Sequence, residues 1–242
     1  EEAEGQRRIW GGAGLKGEPT TPDPSSAAGG LRVTWFVGLY CAKLFKGIGV
    51  AGVLATAQSC AVVGLEGYIV QVEVDISPGL PAFNIVGLPD AAVQEARERV
   101  RAALRNSGFE FPMRRITVNL APADVKKAGP AYDLPIAVGI LLSTGQAEAP
   151  QERAIFLGEL SLDGSLRHTN GILPMVMVAR QQGYAAVYLP TADAAEAALV
   201  EGIQAFPTSS LTELISHLRG ESRITPAVPD GTFQEDSGAT PG

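Results

Sequence analysis

Cysteine and histidine are almost missing from this chain. Its 242 residues include only Cys41, Cys60, His168 and His217. Two cysteines cannot make a disulfide framework or a four-cysteine zinc site. Two histidines leave little for a histidine-based metal cluster. No run of about 18 uncharged apolar residues occurs, so no membrane-spanning helix is expected. Positive charge is also scarce, with 19 Lys and Arg against 26 Asp and Glu and a net charge of -7. That balance excludes a surface coated for nucleic acid and leaves room only for a local basic face. There is no Gly-x-x-x-x-Gly-Lys-Ser/Thr loop, and no Gly-x-Gly-x-x-Gly that follows a strand and opens a helix. ATP binding by this chain is therefore not expected.

Apolar residues make up 45% of the chain, enough to bury a substantial core. They are unevenly spread. Residues 1–53, with Gly11, Gly12, Gly14 and the run Thr-Thr-Pro-Asp-Pro-Ser-Ser, read as a poorly ordered extension. Residues 54–220 read as the folded body, and residues 221–242 as a linker or tail rich in Pro, Gly, Thr and Asp.

The body has a mixed α/β pattern. Cys60 to Val63 and Tyr68 to Ile76 read as strands joined across Gly64 to Gly67. In the second strand Val70, Val72, Val74 and Ile76 alternate with Gln71, Glu73 and Asp75, as in a half-buried strand. Phe83 to Val86 reads as a short third strand. A helix follows to Asn106, with Asp90 at its start and Gly108 just past its end. Val93, Ala96, Val100, Ala103 and Leu104 give it one apolar face. Arg115 to Leu120 is another strand, and Asp133 with Pro135 predicts the capped start of a largely apolar helix. Ala154 to Leu160 and Leu166 to His168 predict a hairpin around Asp163-Gly164. Alternating helices and strands from 173 to 218 predict a parallel layer.

Basic residues concentrate in one stretch. Arg97, Arg99, Arg101, Arg105, Arg114, Arg115, Lys126 and Lys127 fall within thirty-one residues, interleaved with Glu98, Glu110 and Asp124. Arg97, Arg101 and Arg105 are spaced by four and line one helix face. Arg97, Arg101, Arg105, Arg114, Arg115, Lys126 and Lys127 are the candidate contacts to nucleic acid or a partner. A solvated helix face explains the same spacing. Glu73, Asp75 and Asp90 are the acids to consider for a divalent ion, but a wet strand face accounts for the first two, and no metal site is assigned.

Four blocks are distinctive: Val72-Glu-Val-Asp-Ile-Ser-Pro-Gly-Leu-Pro-Ala-Phe-Asn-Ile-Val-Gly-Leu-Pro-Asp, Glu98-Arg-Val-Arg-Ala-Ala-Leu-Arg-Asn-Ser-Gly-Phe, Arg115-Ile-Thr-Val-Asn-Leu-Ala-Pro-Ala-Asp-Val-Lys-Lys-Ala-Gly-Pro-Ala-Tyr-Asp-Leu-Pro-Ile-Ala, and Gly158-Glu-Leu-Ser-Leu-Asp-Gly. Together they resemble the amino-terminal domain of the magnesium-chelatase-like competence AAA+ ATPases of bacteria, the YifB/ComM type. The resemblance implies an α/β body of the ribosomal protein S5 domain 2 kind, similar to the proteolytic domain of Lon. It implies DNA processing or natural transformation, cytoplasmic location, and as partners weakly bound DNA, an AAA+ module or further copies of the chain. ATP and Mg²⁺ would belong to that AAA+ module, so no cofactor is assigned to this chain, which stops before any Walker motif. A magnesium-chelatase-related subunit and an orphan inactive peptidase-like domain are the alternatives.

Lon-like peptidases pair a Ser nucleophile with a Lys base. By resemblance the nucleophile follows Gly129-Pro130 and falls on Ala131, and the base follows Gly171-Ile172 and falls on Leu173. Neither side chain can do that chemistry, so the chain is expected not to be an enzyme. Ser107, Ser143 and Ser161 remain, with Lys126 or Lys127 as a base that a relocated dyad would recruit. The missing phosphate loop generates the first prediction: calorimetric titration of the chain with ATP shows no saturable micromolar site. One site per chain would overturn it.

Overall fold

A computed structural model describes residues 54–63 and 66–229. The expected extension at 1–53 lies outside the described residues, as does the end of the tail beyond 229. Two long strands open the body, β1 (Ala55–Val63) and β2 (Glu66–Ser77), paired antiparallel with Ala55 opposite Val74 and Cys60 opposite Ile69. β3 (Ala82–Val86) leads through helix α1 (Ala91–Asn106) to β4 (Arg115–Ala121). β4 pairs antiparallel with β2 and parallel with β3, giving the sheet order β1-β2-β4-β3. A short 3-10 turn, Pro130–Tyr132, runs into α2 (Asp133–Ser143).

The second half follows as β5 (Ala154–Phe156), β6 (Glu159–Leu160), β7 (Leu166–Arg167), α3 (Ile172–Gln181), β8 (Ala186–Pro190), α4 (Ala194–Ala198), β9 (Gln204–Thr208) and α5 (Leu211–Leu218). β5, β8 and β9 form a parallel sheet in that order, and the alternating pattern after residue 173 predicts its β8-β9 part. The predicted hairpin is corrected in one respect. Residues 154–160 are two strands, because the backbone at Gly158 turns to pair with the start of α2: its N–H donates to Ala131 O and its carbonyl accepts from Leu134 N, both at 3.1 Å. Only β6 then meets β7, and β5 joins the parallel sheet instead.

Strand alternation explains how β1 serves two cores. Ala57 and Ala61 face a core shared by the first sheet, α1, α2 and α5. Cys60, on the other face, joins a core with Ile155, Leu157, Val176 and Val187. α2 is apolar all round and nearly every residue of it is buried, as expected for a central helix. Gly87 has a packing reason: its φ is +97°, and a Cβ there would sit 2.2 Å from Leu120 O.

Asp90 caps α1 as expected, its Oδ1 accepting Val93 N–H at 2.9 Å. Asp133 does not cap α2. The 3-10 turn moves the boundary forward, so Asp133 is the first helical residue and Tyr132 holds the cap position without a side-chain bond. The Asp133 carboxylate, fully buried, instead accepts Arg99 Nε at 2.6 Å, Arg99 Nη2 at 3.0 Å and Leu160 N–H at 3.2 Å. Beyond α5 the chain remains packed. Ile224 is buried and donates its N–H to His217 Nδ1 at 3.0 Å, and Ala227 N–H donates to Ala205 O at 2.8 Å. The packed body thus continues past the boundary expected at 220.

Removing one partner of a buried ion pair strands the other charge without water. Arg99→Met should lower unfolding stability by about 3 kcal/mol in urea titration. A change under about 0.5 kcal/mol, the range of an ordinary surface substitution, would show that the pair carries little.

Candidate functional site

The Gly129-Pro130-Ala131 turn and β1 enclose a cleft of about 330 Å³. Cys60, Ala61 and Val62 form one wall, Ala128 to Tyr132 another, and Glu159, His168, Thr169, Asn170 and Met175 close the rest. A backbone clamp fixes the turn. Lys127 N–H donates to Leu88 O at 3.1 Å, Asp90 N–H donates to Lys127 O at 3.0 Å, and Asp90 Oδ2 accepts Gly129 N–H at 3.3 Å. Asp90 therefore caps a helix with one oxygen and holds the cleft turn with the other. Leu88, in the left-handed region at φ 57°, supplies the bend.

Ala131 lies in the cleft wall, where the sequence comparison with Lon-like peptidases places a nucleophile. Leu173 does not line the cleft. It sits in the first turn of α3, packs partly into the second core, and donates its N–H to Glu196 Oε1 at 2.9 Å. Met175 reaches the cleft from the same helix instead. Among the described residues, no Ser or Lys side chain lines the cleft. Ser143 Oγ is tied to Val74 O at 3.1 Å, and Ser161 Oγ accepts Arg167 Nε. Of the two candidate positions, Ala131 lines the cleft and Leu173 does not.

The other groups in the cleft are poorly suited to nucleophilic work. Burial pushes the Cys60 thiol up to about 11, so it stays protonated at neutral pH. Burial also pushes the Tyr132 phenol up. Among the described residues, no group of three or more His, Cys, Asp and Glu gathers to hold a metal. Glu73 and Asp75 stand on the half-exposed face of β2, and Glu73 accepts Asn119 Nδ2 at 2.8 Å.

Sequence reasoning left His168 unassigned. It stands at the cleft mouth, its Nδ1 hydrogen-bonded to Asp193 and its Nε2 3.2 Å from Asn170 Oδ1. Asp193, buried, also accepts Thr169 N–H at 3.0 Å, which ties the cleft loop to the turn before α4. Nothing in the sequence joins residues twenty-five apart; only the fold does.

The basic candidates separate into different roles. Lys127 is corrected outright: its side chain is fully buried and its ammonium donates to Pro122 O. Burial pushes its pKa down, opposed by the nearby Asp124 charge. It braces the 122–129 loop and offers nothing to a partner. Arg114, Arg115 and Lys126 are exposed, and Arg97 and Arg101 are half-buried. The guanidinium groups of Arg101 and Arg105 lie over the Phe111 ring, 5.2 and 5.9 Å from its centre.

The sequence profile of the family described as subunit ChlI of Mg-chelatase matches residues 72–193. An uncharacterized protein of Mycobacterium tuberculosis is 43% identical over 189 residues, covering 77% of this chain and 37% of its own length. Competence protein ComM of Haemophilus influenzae is 40% identical over 172 residues, 71% of this chain and 34% of its own length. Lon protease of Mycolicibacterium smegmatis is more distant, 25% identical over 171 residues, 66% of this chain and 22% of its own length. The chain thus spans roughly a third of the length of its more similar curated relatives. Among the described residues, no helix is long and apolar enough to cross a membrane.

The Asp193 hydrogen bond, its charge and the Asn170 contact all raise the His168 pKa above its ordinary value of 6.5. A histidine raised on folding stabilises below its unfolded pKa and loses that contribution as pH rises through the folded value. The pairing is therefore at full strength below about pH 6.5 and fades above it. NMR titration should give His168 a midpoint above 6.5, and Asp193→Asn should bring it down. An unmoved midpoint in the variant would remove Asp193 as the cause.

Proposed function

The chain belongs to the magnesium-chelatase-like family in its YifB/ComM-type branch, and we propose that this body is the non-catalytic amino-terminal domain of a DNA-processing AAA+ ATPase. In this reading the body is of the S5 domain 2 kind and keeps the shape of a Lon-like proteolytic domain without its chemistry. Its work is assembly, guidance of the substrate, or contact with the ATPase module and with further copies of the chain, in the cytoplasm. ATP and Mg²⁺ serve the ATPase module.

One observation carries the reading. The cleft at Gly129-Pro130 is formed, yet Ala131 stands in it and, among the described residues, no Ser or Lys side chain lines it. A Ser–Lys mechanism needs both groups within hydrogen-bond reach of each other. The fold around the cleft is nevertheless well defended, by the Asp90 double contact and by the buried Lys127 brace. A packed scaffold that holds an empty dyad is consistent with a structural duty. The similarity to a competence protein over 71% of the chain supports DNA as the substrate of the wider assembly.

The test is direct. Unfolded casein incubated with the chain, with products read by mass spectrometry, should give no peptides above a blank. Cleavage that disappears when one serine and one lysine are replaced would overturn the non-catalytic reading.

A further inference from the structure

We propose that the outer face of α1 is a binding site for the phosphate backbone of nucleic acid, formed by Arg101 and Arg105 braced on Phe111 and extended by Arg97. The proposal rests on the DNA-processing reading above and names the surface that serves it.

The helix is divided by function. Val93, Ala96, Val100, Ala103 and Leu104 are fully buried and hold α1 to the body. Arg99, between the two faces, is committed to Asp133, with a further contact to Glu95 at 3.6 Å. Arg97, Arg101 and Arg105 stand one turn apart, about 6 Å along the axis at each step. None of these three is among the ion pairs found within the described residues, which involve Arg99, His168 and Arg219. Among the described residues, three successive turns of this helix thus carry positive charge with no ion pair to a carboxylate.

Phe111 makes the face more than a solvated row. Its ring is buried, packs against Phe83 with centres 5.9 Å apart, and lies beneath both guanidinium groups. Stacking on a fixed ring restrains two long side chains before any ligand arrives, which lowers the ordering cost of binding. Arg101 Nε is buried with no hydrogen-bond partner, and Arg97 Nε is turned back to Gln94 O at 2.9 Å. Among the described residues, no hydrogen bond or ion pair takes the terminal guanidinium nitrogens of Arg97 or Arg101. Planar guanidinium forks suit phosphate oxygens. Because the aromatic ring is covered, it offers no platform for base stacking, so the contact reads backbone charge and not sequence.

The test uses the full chain, a fluorescent single-stranded 30-mer and anisotropy at 50 and 200 mM salt. The parent should bind oligomers of different sequence alike and weaken steeply with salt. Arg101→Ala/Arg105→Ala should weaken binding at least tenfold and flatten the log–log salt slope by roughly 1.4. Phe111→Leu, which keeps apolar volume and removes the ring, should weaken binding by a smaller factor. Thermal melts check folding, and Arg105→Ala alone, at an exposed position, keeps the test valid if the double variant fails to fold. Equal affinity of parent and a folded arginine variant would overturn this site while leaving the DNA-processing reading in place. Binding to poly-glutamate in preference to DNA would make the partner an acidic protein segment and overturn the proposal. No binding to DNA would overturn it too, and the casein result would still judge the non-catalytic reading separately.

Discussion

The body turns on a single charge in its centre. α2 carries one ionisable side chain, Asp133, in a helix otherwise apolar and buried. A lone carboxylate there would be costly, and burial pushes its pKa up. The Arg99 guanidinium and the Leu160 amide pull it back, and Arg99's own pKa rises in return. Three separate pieces are thereby joined at one carboxylate: α1 through Arg99, α2 through Asp133, and β6 through Leu160. The apolar contacts of α1 are non-directional and would tolerate sliding. The two-bond geometry at Asp133 fixes where along α2 the helix docks. The arginines on its outer face inherit that placement.

A second constraint acts on the cleft. Here the main chain does the holding: residues 88–90 grip Lys127 on both sides of its peptide, and the Lys127 side chain turns inward to the Pro122 carbonyl. In a Lon-like site a lysine would face a hydroxyl. In this chain the buried lysine of the region faces a loop carbonyl, and its role is mechanical. The cleft keeps its walls because backbone bonds, and not reactive side chains, define it.

Much of this was legible in the sequence where periodicity is local. The alternation along β2, the apolar face of α1, the Asp90 cap and the parallel β8-β9 pair follow from spacing alone. What escaped depends on distant partners. Asp133 has the right residue type for a cap, but a salt bridge thirty-four residues back claimed it. Lys127 counts as a surface charge in any linear reading until burial is known. The break at Gly158 arises from its pairing with the 131–134 turn, and His168 gains its partner only when the 191–193 turn comes alongside. Ala131 lines the cleft beside the Gly129-Pro130 turn. Leu173 lies in the first turn of α3, and the side chain of that helix that reaches the cleft is Met175, two residues later.

The stretch after α5 has a meaning of its own. β9 ends its sheet, and a parallel edge with free amides and carbonyls invites pairing with a foreign chain. Ala227 gives its N–H to Ala205 on that edge, and Ile224 is anchored by neutral His217, whose ring sits 5.4 Å from Phe206 and 5.6 Å from Tyr188. Residues 221–229 thus behave as a selvedge, the self-finished border that keeps a cloth from unravelling or catching on its neighbour. A domain boundary drawn at the end of the last helix would cut that border away and leave a sticky edge exposed.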